Sequence, residues 1–334
     1  MIVRPPRVLV PVKGSWRWFG PGLLNVLVPS SAAHASPTVA SVGSDDRQTH
    51  LREEHVYLAD VRCGARSRGW SEVRPAPVFG LVLVRHGLLR VRTEGAEYLV
   101  DRASVYVEQL GREQQFAHPR GADVFTEVVL SEPRVAAMLG DDPEIPEGLV
   151  ITTPRLALAH RLLLSRARAG ADPFELAERT TLLAHGVFAQ LAPVRASSGR
   201  PGSPVARRRL ADDVRAFLAT DPGAGLETLA RAVGVSPPHL SRTFTEITGV
   251  TLTAYRHRLQ LAAALDRLGQ GERDLALLAN DLGFSDQAHM TRVLRATAGL
   301  PPGRLRTLLT SPAGTPRTEP ADRRDAGPGS PPGG

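Results

Sequence analysis

The same pattern is written twice between Leu226 and Arg306, and that repeat constrains the chain more than any other feature of it. The first copy reads Leu226-x2-Leu229-Ala230-x2-Val233-Gly234-Val235-Ser236, followed by Leu240-x-Arg242-x-Phe244 and Thr248-Gly249. The second reads Leu275-x2-Leu278-Ala279-x2-Leu282-Gly283-Phe284-Ser285, followed by Met290-x-Arg292-x-Leu294 and Ala298-Gly299. Gly234 and Gly283 are 49 residues apart and Arg242 and Arg292 are 50 apart, so one supersecondary unit recurs with a single residue of slack. In each copy, apolar residues at i, i+3, i+4 and i+7 make one face of a short helix, and the glycine after it caps the helix in the left-handed region. Ser236 and Asp286 then stand as N-caps of a second helix, because their oxygens can accept the amide hydrogens that a first turn leaves without partners. The second helices span about 236–248 and 286–298 and bury Leu240, Phe244 and Ile247 in one copy, Met290 and Leu294 in the other. Their opposite faces are left free. This is the layout of a helix-turn-helix, whose second helix enters the DNA major groove through its N-terminal residues while the first crosses the backbone.

The residues also carry a resemblance. Ala230-x3-Gly234-x-Ser236-x3-Leu240-Ser241-Arg242-x-Phe244-x4-Gly249, a linking helix with Tyr255, then Ala279-x3-Gly283-Phe284 and Gly299-x2-Pro302-x2-Leu305-Arg306 resemble the DNA-binding domain of AraC/XylS-type transcription regulators. The resemblance covers residues 205–310. Met290, Leu294 and Leu305 stand where that family usually has aromatic residues, and Pro237-Pro238 opens the first reading helix, where a missing amide hydrogen is tolerated. The resemblance implies two recognition helices in successive major grooves. Position by position it assigns DNA contact to Pro238, His239, Ser241 and Arg242 on the first helix, and to Gln287, Ala288, His289, Thr291 and Arg292 on the second. Chemistry separates these candidates: arginine can grip guanine O6 and N7 with two hydrogen bonds and glutamine can do the same for adenine, whereas proline, alanine and serine offer apolar contact or one bond. Flanking the repeat, Arg207–Thr220 reads as a bracing helix with Leu210, Val214, Phe217 and Leu218 inward, and Thr251–Leu268 as a rigid spacer between the motifs.

Upstream the periodicity changes. From about His55 to Leu130 short apolar runs alternate at period two and are separated by Gly87, Gly95, Asp101, Gly111 and Gly121, which reads as a small antiparallel barrel or sandwich. The resemblance implies a cupin-like effector-sensing domain there, over residues 51–150, with Trp70, Phe79, Tyr106, Phe116 and Phe125 as candidates for its interior. Residues 151–195 return to helical period. Leu156, Ala159, Leu163 and Ala167 share one face, and Leu176, Thr180, Leu183, Val187 and Leu191 share another; these stripes must be covered either by the barrel or by a second copy in a homodimer. The composition of residues 196–204 is that of a linker and that of 311–334 of a disordered tail. Residues 1–50 read as a disordered extension, although Ala33-His34-Ala35 after an interrupted apolar run imitates a signal-peptide cleavage site. The fold expected is therefore α+β in two domains: an N-terminal antiparallel β-barrel with a helical connector, and a C-terminal all-α tandem helix-turn-helix.

Composition bounds the rest. The chain of 334 residues carries a net charge of +7, and residues 205–310 hold 14 arginines against 10 acidic residues, which permits a polyanionic partner without requiring one. No run reaches the ~20 apolar residues that span a bilayer. The single cysteine, Cys63, excludes an intrachain disulfide and suits a reducing compartment; with no histidine beside it in sequence it reads as a buried thiol. No H-x-H or H-E-x-x-H occurs among the ten histidines, so neither a metal centre nor another cofactor is expected, although His86 and His118 could meet Glu108 or Glu127 in space. The chain is expected to be a cytoplasmic regulator acting on double-stranded DNA rather than an enzyme, answering to an unknown small-molecule effector. A homodimer and RNA polymerase are further candidate partners. Two rival readings stay open: a cupin-type enzyme with a DNA-binding appendage, and a ligand-independent architectural DNA binder.

Overall fold

The computed structural model describes residues 8–12, 15–19, 45–64, 69–93, 96–139, 148–191 and 204–310. The linker assigned from composition, up to residue 203, and the tail lie outside them; Pro204 opens a helix instead. Two strands and most of a third fall within the first 50 residues, read from sequence as a disordered extension: Asp45–Arg52 belongs to the sheet described next, while Val8–Val12 (β1) and Ser15–Phe19 (β2) pair antiparallel, Val8 opposite Phe19, and form a unit of their own. Both stretches are rich in β-branched or aromatic residues, which favour extended pairing. All that follows belongs to the second unit.

There, nine further strands run Asp45–Arg52 (β3), Val56–Cys63 (β4), Arg74–Pro75 (β5), Phe79–His86 (β6), Leu89–Thr93 (β7), Ala96–Val100 (β8), Ser104–Glu108 (β9), Glu113–Ala117 (β10) and Asp123–Leu130 (β11). Helix α1 (Glu132–Leu139) and strand β12 (Gly148–Ile151) follow. They build two antiparallel sheets, ordered β12-β9-β6-β11-β4-β3 and β5-β10-β7-β8. Run Leu81-Val82-Leu83-Val84 shows why the strands read as nearly continuous apolar stretches: both faces are covered. Val82 and Val84 point between the sheets with Val61, Val91, Val100, Tyr106, Phe116 and Phe125. Leu81 and Leu83 point the other way, into a second core completed by helices. Of the aromatics expected inside, Tyr106, Phe116 and Phe125 are there; Phe79 is half-buried against the outer core, and Trp70 is half-buried with Arg92 stacked 4.0 Å over its ring.

The connector is two helices, α2 (Pro154–Arg168) and α3 (Pro173–Phe188), each with proline in the first turn and a capping side chain, Thr153 and Asp172. Helix α3 sends Leu176, Leu183 and Val187 into the outer core, as its periodicity demands. Helix α2 is covered on two sides, which one apolar stripe does not announce. Leu156 and Leu163 join the sheet-side core, whereas Ala157, with Leu158 and Leu162 beside it, joins the core of the C-terminal helices; Ala159 is exposed. The boundary that composition draws at residues 196–204 is thus crossed in space by α2.

The C-terminal region holds α4 (Pro204–Leu218), α5 (Leu226–Ala232), α6 (Pro237–Thr248), α7 (Leu252–Gly269), α8 (Leu275–Asp281), α9 (Gln287–Ala298) and α10 (Pro302–Thr310). Helix α7, 18 residues and so about 27 Å long, is the spine. Its first half buries Leu252, Tyr255 and Leu259 against α4, α5 and α6; its second half buries Leu261, Ala264, Leu265 and Leu268 against α8, α9 and α10. Val214 and Leu218 of α4 are fully buried, as expected of a brace, with Leu210 and Phe217 partly buried beside them.

Polar side chains fasten this region to the sandwich. Arg215 of α4 is fully enclosed; its guanidinium donates to Tyr255 Oη at 2.8 Å, Asp212 Oδ1 at 2.9 Å and Ser104 Oγ at 3.1 Å, and lies 3.1 Å from Asp101 Oδ2. Tyr255 also donates to Asp101. Burial works against the arginine's charge, but Asp101, Tyr255 and Asp212 outweigh it and hold its pKa above the ordinary value. About three turns farther along α7, Arg161 of α2 grips Asp266 through two hydrogen bonds of 2.9 and 3.0 Å.

Inside the sandwich, Glu108 is fully buried; loss of hydration pushes its carboxyl up to about 8, against the opposing hydrogen bond from Gln114. Folded Glu108 keeps its proton where the unfolded chain, with an ordinary value of 4.5, has released it, so stability is lost as pH rises from about 4.5 to about 8. Glu108→Gln keeps the shape and removes the titration. Its Tm should match that of the parent near pH 4.5 and exceed it by several degrees near pH 8, with coincident Tm profiles counting against a protonated Glu108.

Candidate nucleic-acid interface

Each helix-turn-helix turns on the same backbone device. After α5, Gly234 adopts φ +68°, its N–H reaches Arg231 O at 3.2 Å and Val235 N–H reaches Ala230 O at 3.0 Å. After α8, Gly283 adopts φ +73°, with Gly283 N–H to Asn280 O and Phe284 N–H to Ala279 O, both 3.0 Å. These are Schellman closures, which need a left-handed residue after the helix and so favour glycine. At Gly283 a second demand is added: a Cβ there would stand 2.5 Å from Gly223 Cα, because the two motifs touch at this point.

The second helices differ at their starts. Asp286 caps α9, accepting from His289 N–H at 2.7 Å, and that bond holds its carboxyl below the ordinary aspartate value, with the Arg292 charge contributing. Ser236 occupies the cap position of α6 but makes no side-chain bond: Pro238 at the second helical position has no N–H to give, and the N–H of His239 at the third is not engaged by the serine. Both helices end alike, at Gly249 with φ +72° and Gly299 with φ +76°. Ser236, expected to cap, thus marks the start of α6 without stabilising it. Asp286→Ala is expected to lower the Tm of the full chain and Ser236→Ala to leave it unchanged; equal losses in thermal denaturation would contradict this account.

Around these helices the burial pattern separates inward and outward positions. Leu240 and Phe244 are fully buried, as are Met290 and Leu294. Pro238, His239, Arg242, Gln287, Ala288 and Arg292 are exposed, and Ser241, His289 and Thr291 are half-buried. Arg242 folds back so that Nε donates to Pro238 O at 3.3 Å. His289 is engaged locally: its Nδ1 lies 3.1 Å from Ser285 Oγ and its ring meets Phe284 edge-on at 5.4 Å. Other arginines of the region are tied to carboxylates or carbonyls, Arg207 to Glu246, Arg267 to Glu272 and Asp281, and Arg306 to Glu272 O.

Of the four residues that could have met around an ion in the sandwich, three have other partners. His86 lies against Arg102, Glu108 against Gln114 and Glu127 against Arg47. His118 instead meets Cys63 and Asp123, a grouping that the sequence hides because Cys63 and His118 are 55 residues apart.

Tandem helix-turn-helix units with a shared spine, each presenting a polar helix face, define a DNA-binding protein. A family model described as a helix-turn-helix domain matches residues 229–307. The chain is 30% identical over 95 residues to a Proteus vulgaris protein called "Probable transcription factor PqrA", a match covering 28% of this chain and 78% of that one. Among solved structures, ToxT from Vibrio cholerae aligns at 10% identity over 77% of this chain and 100% of its own, with a TM-score of 0.31. The AraC-like transcriptional activator CuxR aligns at 14% identity over 67% and 87%, with a TM-score of 0.34. The chain belongs to the AraC/XylS-type transcription regulators, a family of DNA-binding proteins and not of enzymes.

Proposed function

We propose that this protein reads a specific operator by laying α6 and α9 in successive major grooves about one helical turn, roughly 10 base pairs, apart. The observation that carries this reading is the matched exposure of Arg242 and Arg292 on helices whose Leu240, Phe244, Met290 and Leu294 are locked into the two halves of the α7 core. Arg242, Gln287 and Arg292 supply most of the base discrimination. Pro238, His239, Ser241, Ala288 and Thr291 line the contact, and His289 holds the start of α9 in shape.

The sandwich, in this reading, governs DNA binding in response to a small molecule in the cytoplasm. Support for an effector comes from a cavity of about 390 Å³ between α2, α7 and α10, lined by Arg85, Arg161, Ser165, Arg168, Asp266 and Gln270, while the space between the sheets is filled by side chains. Its size suits a small ligand. Homodimerisation is supported by Phe174 and Leu182, 79% and 64% exposed on α3, and would double the number of reading helices. RNA polymerase is the partner that an activator of this type would recruit. No described helix is long and apolar enough to cross a membrane.

Arg292→Ala should flatten base preference at one position of one footprint, a loss of about 1–3 kcal/mol of discrimination. Arg256→Ala, half-buried on α7 and bonded to Ala224 O, should weaken binding evenly or not at all. A randomised operator library decides between them: an unchanged preference profile in Arg292→Ala would reduce that arginine to a phosphate contact.

A further inference from the structure

At one end of the sandwich a cluster of side chains has no part in DNA reading. Cys63 ends β4, Asp123 opens β11 directly opposite it in the ladder, and His118 follows β10. Nε2 of His118 lies 3.7 Å from Cys63 Sγ, and its Nδ1 lies 2.7 Å from Asp123 Oδ2. Cys63, His118 and Asp123 are only 1%, 2% and 1% exposed, and donor atoms from all three lie within 4.8 Å of one another.

The spacing fits coordination. A thiolate at ~2.3 Å and an imidazole nitrogen at ~2.0–2.1 Å from one tetrahedral ion stand about 3.5 Å apart, close to the separation of Sγ and Nε2. An imidazole that binds through one nitrogen is characteristically held at the other by a carboxylate, which fixes its orientation and strengthens it as a donor; Asp123 stands in that place. Sulfur and nitrogen donors select thiophilic transition ions and disfavour Mg²⁺ or Ca²⁺, which take oxygen. We propose that Cys63 and His118, with Asp123 braced behind the imidazole, bind one thiophilic ion of the Zn²⁺ or Cu⁺ class, whose remaining positions are taken by solvent or a small exogenous ligand.

The ion site is wired to the DNA-binding region. His118 and Asp123 bracket a tight turn, closed by Gly121 N–H to His118 O at 2.9 Å, and Arg120 at its tip donates to Ala216 O at 2.7 Å and to Thr220 Oγ1 at the end of α4. Asp123 has no room to retreat past Gly87, where even a Cβ would approach its own Cβ to 2.6 Å. An ion that replaces the loose Cys63–His118 contact with two bonds therefore stiffens the turn, and with it the hold of Arg120 on α4.

The full-length chain, stripped of metal, can be titrated with Cd²⁺ as a probe, following sulfur-to-metal charge-transfer absorption in the ultraviolet. Cys63 is the single cysteine, so the band reports on it alone. Zn²⁺ and Cu⁺ are then competed against chromophoric chelators. One equivalent per chain is expected, abolished in Cys63→Ser and His118→Gln and weakened about 10–100-fold in Asp123→Asn. Should His118→Gln fail to fold, the near-isosteric Cys63→Ser decides alone. DNA affinity should change several-fold on Zn²⁺ or Cu⁺ loading in the parent and not in Arg120→Ala. No band, or metal uptake unaltered in Cys63→Ser, overturns the site; a band lost in Cys63→Ser with DNA affinity indifferent to the ion overturns its coupling to α4.

Discussion

A seven-residue helix and a twelve-residue helix cannot between them enclose a core, and both motifs here are built from such pairs. The structure meets this by giving them one long helix in common. Tyr255 and Leu259 close the first motif, Leu261, Leu265 and Leu268 close the second, and the two reading helices are fixed relative to each other because both are packed on α7. A reader with two contacts gains specificity only if their separation is held. The contact of Gly283 with Gly223 tightens the same constraint.

The second constraint is a buried charge. Arg215 has no route to water, and the groups that satisfy it come from two regions of the chain: Asp212 and Tyr255 from the C-terminal helices, Asp101 and Ser104 from the turn into β9. Removing one partner from such a set is costly because the remaining charge stays enclosed, so the set behaves as a fixed joint rather than a sliding surface. Together with Arg161 on Asp266 and Ser165 on Leu309 O, it makes the sandwich and the reading helices mechanically continuous.

The tandem motif was legible because everything that defines it lies within a few turns of chain: the i, i+3, i+4, i+7 faces, the glycines that need positive φ, and the aspartate that caps α9. The strands were legible for the same reason, as short apolar runs between turn residues, although with both faces covered few of them alternate. Long-range pairings were not. Arg215 sits in an amphipathic helix and reads as a solvent-face arginine until Asp101 is brought beside it. Cys63 has no histidine within reach in sequence, yet the ends of β4 and β10 and the start of β11 come together and supply one. Helix α2 shows one stripe in sequence because a second, narrower stripe of Ala157, Leu158 and Leu162 has no period of its own to stand out against the first. Ser236 stands at the cap position without a cap bond, and the two prolines after it leave it only the N–H of His239 to accept from.

The two-sided packing of α2 also bears on how the molecule comes into being. A chain is made from its N-terminus, and α2 is complete while α7 to α10 are still to be synthesised. The sheet-side stripe of Leu156 and Leu163 can dock at once, leaving Ala157, Leu158 and Leu162 displayed on a surface already in place. The second motif, emerging last, thus has a ready-made apolar surface against which to pack.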